Sequence, residues 1–395
     1  MKKLLKYTFK IGLDVLFAVP LLVVAVVSRF VSKSFDIGMG PEPLISYLYH
    51  QRSLALKGFS SETFVIGGSY ITHNFDFNAD QQYAGIVRLF RWHLLFIRAV
   101  FRYRCLYFSF HGGPLMGTGW LRIVEPYLLK IAGIKVLILP YGSDVQDMTR
   151  CPNIAFTSAL AKDYPLQRSD RQRIARQIDR WTRHADHILA GCDWVDYLYY
   201  WDTVALNNFS IDTDLWKLNS QNQTSASTIK ILHSPNHRNV KGTVYFQRAV
   251  EELKQEGLDV ELVILEKSSN ETIRRFMAEI DIVADQLIIG WYAMFAMEGM
   301  ALEKPVLCYI RPDLLEYYTD QGLLLQDELP IVNCNTANVK AKIRELVESE
   351  SLRREIGIRS RNYILKHHSL EAIAENFDKM NQAMNLQPSG LINHE

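Results

Sequence analysis

The 395-residue chain lacks the paired cysteines that would staple a small secreted fold or hold a zinc ion. Cys105, Cys151, Cys192, Cys308 and Cys334 are odd in number, scattered and free of any C-x-x-C, so they read as reduced thiols of a cytoplasmic protein. Excess charge is lacking too. With 44 Lys+Arg against 43 Asp+Glu the net charge is +1, which argues against a dedicated nucleic-acid binder. A charged fraction of 22% beside 48% hydrophobic residues excludes a disordered, collagen-like or disulfide-scaffold protein. No internal repeat and no G-x-G-x-x-G or Walker lysine loop occurs, so any nucleotide-phosphate cradle is of another kind. No D-x-D-type pair stands out, so neither a metal nor a cofactor is expected.

What is present is unevenly distributed. Residues 1–215 carry a net +6 and residues 216–395 a net −5, which suggests that the first half faces something anionic, such as a phospholipid surface. The chain opens MKKLLKYTFKIGLDVLFAVPLLVVAVVSRFVSK. Its uncharged run, Val15 to Ser28, is 14 residues long, short of the roughly 20 needed to cross a hydrocarbon core. Extending it back takes in Asp14, and Pro20 would kink a helix there. Residues 1–35 are therefore read as a membrane anchor whose form stays open: an interfacial or re-entrant helix, a full span, or else a cleaved signal peptide or buried helix. Cations on both flanks favour the interfacial form.

Downstream, short apolar runs alternate with helical patterns. Strands are expected at 63–66, 106–110, 136–139, 187–190 and 204–206, then at 229–233, 260–265, 286–289, 306–309 and 330–332. A polar linker, SQNQTSAST at 220–228, separates the two series. Such alternation implies an α/β protein with two Rossmann-like domains, 36–219 and 229–365, facing each other across a cleft, and 366–395 as a C-terminal helix and tail. Two segments concentrate the positive charge. In 86–103, Arg88, Arg91, Arg98 and Arg102 fall near one helical face, and 167–183 holds six arginines including Arg168. The first is expected to touch the membrane.

Two loops could carry chemistry. HSPNHRNVKGT, 233–243, leads from a strand through Arg238 and Lys241 to Gly242 and a helix. A guanidinium, an ammonium and a helix start beyond a strand's carboxyl end could hold a diphosphate. In ADQLIIGWYAMFAMEGMALEKPVLCY, 284–309, a strand is expected to end at Gly290. The amides of Trp291, Tyr292, Ala293 and Met294 would form a second anion cradle. Glu298, one turn into the next helix between Met297 and Met300, is a carboxylate that needs donors if buried, and two ribose hydroxyls would serve.

These two blocks, in this order, resemble the retaining glycosyltransferases of the GT-B fold that use nucleotide-diphosphate sugars. Arg238 and Lys241–Gly242 are similar to that family's R-x-x-K-G donor-phosphate motif, and MEGMALEKPVL (297–307) to its E-A-M-A-x-G-x-P-V block, with Glu298 in the ribose-binding position. More weakly, YGSDV (141–145), HADHILAG (184–191), NNFSIDTDLWK (207–217) and FSFHGG (108–113) resemble segments of its acceptor domain. The resemblance implies a donor site of Arg238, Lys241, Gly242, Gly290, Glu298 and the 291–294 amides. It also implies contacts to acceptor or sugar from His111, Gly112 and Asp144, with His111 counted among the catalytic groups. One departure is plain: the family's first glutamate is Gly290 here.

The implied reaction breaks the bond from the anomeric carbon to the diphosphate through an oxocarbenium-like transition state. Arg238, Lys241 and the loop amides are placed to stabilise the leaving phosphate, and no side-chain nucleophile is required if a phosphate oxygen serves as base. The expected protein is a membrane-associated glycosyltransferase at the cytoplasmic face of a bacterial inner membrane. Its partners would be a nucleotide-diphosphate sugar, a lipid-linked or polysaccharide acceptor and an anionic membrane surface, without nucleic acid. Two alternatives remain: a nucleotide-sugar 2-epimerase of the same architecture, and a catalytically degenerate binding or assembly partner.

Overall fold

A computed structural model describes residues 2–68, 72, 74–165, 170–218 and 228–390, with the side chains of 2–7 left aside. Most of the polar linker 220–228, the tail beyond 390 and Arg168 lie outside the described residues.

The first sheet has seven parallel strands: β1 (Phe35–Met39), β2 (Ser61–Val65), β3 (Phe77–Asn78), β4 (Tyr103–Phe108), β5 (Lys135–Ile138), β6 (His187–Gly191) and β7 (Thr203–Ala205), in the order β3-β2-β1-β4-β5-β6-β7. The second has five: β8 (Ile229–His233), β9 (Val260–Ile264), β10 (Ile282–Gln286), β11 (Val306–Cys308) and β12 (Val332–Asn333), in the order β12-β11-β10-β8-β9. All pairings are parallel, as strand–helix alternation requires.

Side-chain alternation covers both faces of each sheet. In the first, Leu106, Phe108, Val136, Ile138 and Ile188 pack beneath helices Arg91–Arg102, Leu121–Ile131 and Arg171–His184. Cys105, Tyr107, Leu137 and Leu189 face the other way, against helices Ser46–Ala55 and Leu370–Ala383. The last helix therefore returns from the second domain to close the first, with Phe377 packed on Tyr107 and His50. In the second sheet, Ile231, Ile282 and Ala284 lie under helices Thr243–Gln255 and Val339–Glu348, while Leu232, Val283 and Val306 meet Met297, Met300 and Met277.

Three differences from the sequence reading have clear causes. Strand β1, central in its sheet, was missed because Asp36 and Gly38 interrupt its apolar run. The buried Asp36 accepts from the amide and hydroxyl of Ser60, and Gly38 leaves room for the Tyr103 ring, which an added Cβ would meet at 2.4 Å. Strand β10 lies four residues earlier than expected. The Gln286 side chain accepts from the amides of Ile288 and Ile289 and donates to the carbonyls of Trp291 and Tyr309, bending the chain out of the sheet. The basic segment 86–103 is a 3-10 turn, Gly85–Phe90, followed by the helix Arg91–Arg102. Its arginines are paired: Arg88, itself exposed, and Arg91 pair with Asp80, and Arg98 and Arg102 with Glu62, so they offer no free charge.

Candidate active site at the facing sheet ends

The carboxyl ends of both sheets meet. The Asn153 side chain donates to the carbonyls of Ile288 (2.6 Å) and Ile289 (3.1 Å), the Trp291 indole to the carbonyl of Leu206 (2.9 Å), and the Tyr318 hydroxyl to that of Cys192 (2.6 Å). Arg311 closes the seam with Asp196 at 2.5 Å, its guanidinium almost fully buried. One continuous hydrophobic cluster runs from Phe108 and Trp194 to Trp291 and Met297.

On the first domain's side, His111 follows β4, Tyr141 follows β5, and Glu42 follows β1. His111 Nδ1 is 2.6 Å from Glu42 Oε1, which also accepts from the Tyr141 hydroxyl at 2.7 Å, while the Ser109 hydroxyl donates to the other oxygen. Burial alone would discharge His111, but the Glu42 carboxylate outweighs it and raises its pKa above the ordinary imidazole value. Glu42 lies in a G-P-E-P run beyond the strand that the sequence hid, so no signal pointed to it.

Asp144 is in the wall rather than the cleft. It is fully buried and accepts from the amides of Phe110 (3.0 Å), Tyr141 (3.1 Å) and Gly142 (2.9 Å), joining the loops after β4 and β5. Burial pushes its carboxyl up to about 6. Glu125, reaching in from helix Leu121–Ile131, does the same for the next turn through the amides of Gly113 (3.2 Å) and Leu115 (2.6 Å). Gly112 adopts φ +121°, where a side chain would be strained, and an added Cβ would stand 3.2 Å from Met116.

On the second domain's side, Lys241 reaches the buried Asp285 at 2.6 Å. Arg238 forks onto Glu266 through two 2.9 Å bonds at an exposed position. The amide of Val240 and the side chain of Asn239 both donate to Asp163 of the first domain, at 2.8 and 2.6 Å. Gly242 closes this turn at φ +75°, where an added Cβ would stand 3.1 Å from the Leu287 side chain. Thus both cations expected at the diphosphate, Arg238 and Lys241, have a carboxylate on them in this arrangement.

Glu298 is 4% exposed and accepts from the Asn270 side chain at 2.7 Å. Burial, with the Asp285 charge adding, pushes its carboxyl up to about 8. Tyr49, on the helix that follows Glu42, lies close enough to feel that charge. Glu298 stands on the second domain's side of the facing sheet ends and the Glu42–His111 group on the first's. The donor loop was expected to offer its backbone amides, and the side chains of its aromatics are engaged elsewhere. Trp291 and Tyr292 are buried in the seam, the Tyr292 hydroxyl meeting Tyr363 (2.7 Å) and His368 (2.9 Å), so only their backbone is left for a ligand. The helix Met294–Ala301, preceded by Ala293, has no side-chain cap, leaving its first-turn amides without the usual partner. Gly290, at φ +108°, lies against the Arg311 stem, which an added Cβ would meet at 2.6 Å. The chain has no room for a glutamate there.

No protein-family model matches the chain, and no curated protein matches it in sequence. Solved structures do match in fold. Anabaena HepE, solved in complex with UDP-glucose, is similar at a TM-score of 0.57 and 12% identity, covering 88% of this chain and 100% of that one. Sucrose-phosphate synthase from Thermosynechococcus elongatus is similar at 0.55 and 13%, over 90% of this chain and 98% of that one. A glycosyltransferase from Rickettsia africae is similar at 0.51 and 11%, over 89% and 99%. The architecture is that of the GT-B fold: two parallel α/β domains facing across a cleft, with one apolar N-terminal helix added.

Proposed function

We propose that the chain is a membrane-associated glycosyltransferase that moves a sugar, with retention, from a nucleotide-diphosphate sugar to a lipid-linked or surface-polysaccharide acceptor. The observation that carries this reading is Glu298: a carboxyl only 4% exposed whose one hydrogen bond among the described residues comes from the Asn270 side chain, and whose pKa burial raises. Two vicinal hydroxyls of a ribose would supply further donors. HepE, which shares the fold, was solved with UDP and with UDP-glucose, so a uridine donor is the first to try.

In this reading the donor's diphosphate displaces Asp285 from Lys241 and Glu266 from Arg238. Both cations, together with the first-turn amides after Ala293, then stabilise charge growing on the leaving phosphate. His111, held by Glu42 through Nδ1, turns Nε2 toward the sugar or acceptor. A leaving-phosphate oxygen takes the acceptor's proton, so attack and departure share one face. The test is transfer of radiolabelled sugar from nucleotide sugars to membrane lipid extracts. The wild type is expected to transfer, and K241A and R238A to lose most of the rate. Undiminished transfer by both variants would refute the site.

A degenerate, non-transferring partner protein is the second reading, favoured by the carboxylates now seated on both Arg238 and Lys241. It predicts nucleotide binding without turnover.

A further inference from the structure

The helix Lys2–Ser28 does not stand away from the protein; it lies lengthwise between helices Arg91–Arg102 and Leu121–Ile131. Its inner row, Asp14, Leu21, Ala25 and Ser28, is fully buried. Asp14 accepts from the amides of Trp120 (2.6 Å) and Leu121 (3.1 Å), so it caps helix Leu121–Ile131, and it meets His93 at 3.1 Å. Phe17 stacks on His93 at 4.4 Å. At the ends, Lys10 donates to the carbonyl of Gly117 (2.7 Å) and Lys33 to that of Val100 (2.5 Å). A helix gripped from Lys10 to Ser28 cannot cross a bilayer unless the polar domain beside it enters too.

The outer row is apolar and bare: Val15, Leu16, Val19, Val23, Val27 and Phe30 are 49–83% exposed. The same face continues onto neighbouring elements, with Leu89 beside Phe9 and with Ile123 and Tyr127 on helix Leu121–Ile131. Around it run cations without carboxylate partners. Among the described residues, Lys10, Arg29, Arg122, Lys130, Arg180 and Arg183 form no ion pair. They are close enough to repel one another: beside burial, which acts most, Arg122 lowers the pKa of both Lys10 and Arg180, and Lys130 and Arg183 lower that of His184.

We propose that this face docks on an anionic phospholipid bilayer, with the helix lying in the membrane plane as a monotopic anchor. Apolar side chains enter the acyl boundary while the basic rim meets the headgroups. A second copy of the chain suits the face poorly, since a two-fold contact would set the basic rim against itself. The proposal sharpens the membrane-associated part of the reading above, yet lipid binding needs no sugar transfer, so either can fail alone.

The test is flotation of the full chain with sealed vesicles of phosphatidylethanolamine and phosphatidylglycerol, against phosphatidylcholine vesicles. The wild type is expected to float preferentially with the anionic vesicles. Val19→Glu/Val23→Glu, at positions exposed in the fold, should lose at least about tenfold in partition. Lys130→Glu/Arg183→Glu should lose the anionic preference, with unchanged melting profiles showing that both variants fold. Equal flotation of all three proteins overturns the proposal, as does a lipid-free dimer that Val19→Glu/Val23→Glu dissociates without any flotation by the wild type. To separate lying from spanning, Thr8→Cys and Ser32→Cys, each in a Cys151→Ser background, are treated with an impermeant maleimide. Both should label from outside; a site reached only after vesicle lysis overturns the in-plane geometry.

Discussion

Glu298→Gln isolates the proton that the cleft holds. In the folded protein the Glu298 carboxyl titrates near pH 8, against an ordinary value of 4.5. Because the folded pKa is raised, its contribution to stability is fully present below pH 4.5 and is lost as pH rises toward 8. At 1.36 kcal/mol per unit the whole shift is on the order of 5 kcal/mol, and local relaxation should reduce the observable part to about 2–3 kcal/mol. Glutamine keeps the bond to Asn270 and has nothing to titrate. The stability of the variant relative to wild type should therefore climb between pH 5 and pH 8.5, by a few degrees in Tm. A nucleotide whose ribose donates to the carboxylate should reverse the shift and expel a proton near pH 7. Calorimetric titration with UDP-glucose in buffers of different ionisation enthalpy should count close to one proton released by the wild type and fewer by E298Q. A flat stability difference across that range, or equal proton counts, would refute the assignment of a buried, ribose-seeking carboxyl.

Asp14→Ala removes a cap from two backbone amides and a partner from His93, and should lower stability by about 2–4 kcal/mol in thermal melts. Glu42→Gln should lower the His111 pKa, since the carboxylate is what raises it. The acid limb of the transfer-rate profile should move to lower pH, with a reduced maximum. Arg311→Ala breaks the buried ion pair with Asp196 and should cost about 3–5 kcal/mol, read as a lower Tm. Gly290→Glu should destabilise the protein rather than improve transfer, because its Cβ meets the Arg311 stem; a faster, equally stable variant would contradict that packing.

The second domain was the more legible half. Strand β8 stands at Ile229–His233, where the run IKILH after the polar linker put it, and the Arg238–Gly242 turn and the Glu298 helix follow from local pattern. What the sequence hid depended on partners distant along the chain. Strand β1 is polar at Asp36 because Ser60 and Arg104 answer it. Asp14 looked costly inside an apolar helix, but it spends its charge on amides more than 100 residues away. Glu42 and Asn270 become visible only when the sheet ends converge, and Asp144 changes from cleft residue to loop staple for the same reason. Trp291 and Tyr292 were read for their backbone amides alone, and where their side chains pack, in the interdomain seam, is visible only in the fold.

The most direct test of the central claim is protection from thermal unfolding by a panel of UDP-, GDP- and other nucleotide sugars. One nucleotide series should stabilise the wild type, by about 2.7 kcal/mol at a hundredfold excess over Kd, and the gain should vanish in both Glu298→Ala and Lys241→Ala. No stabilisation of the wild type by any nucleotide sugar, or undiminished stabilisation of both variants, would contradict it.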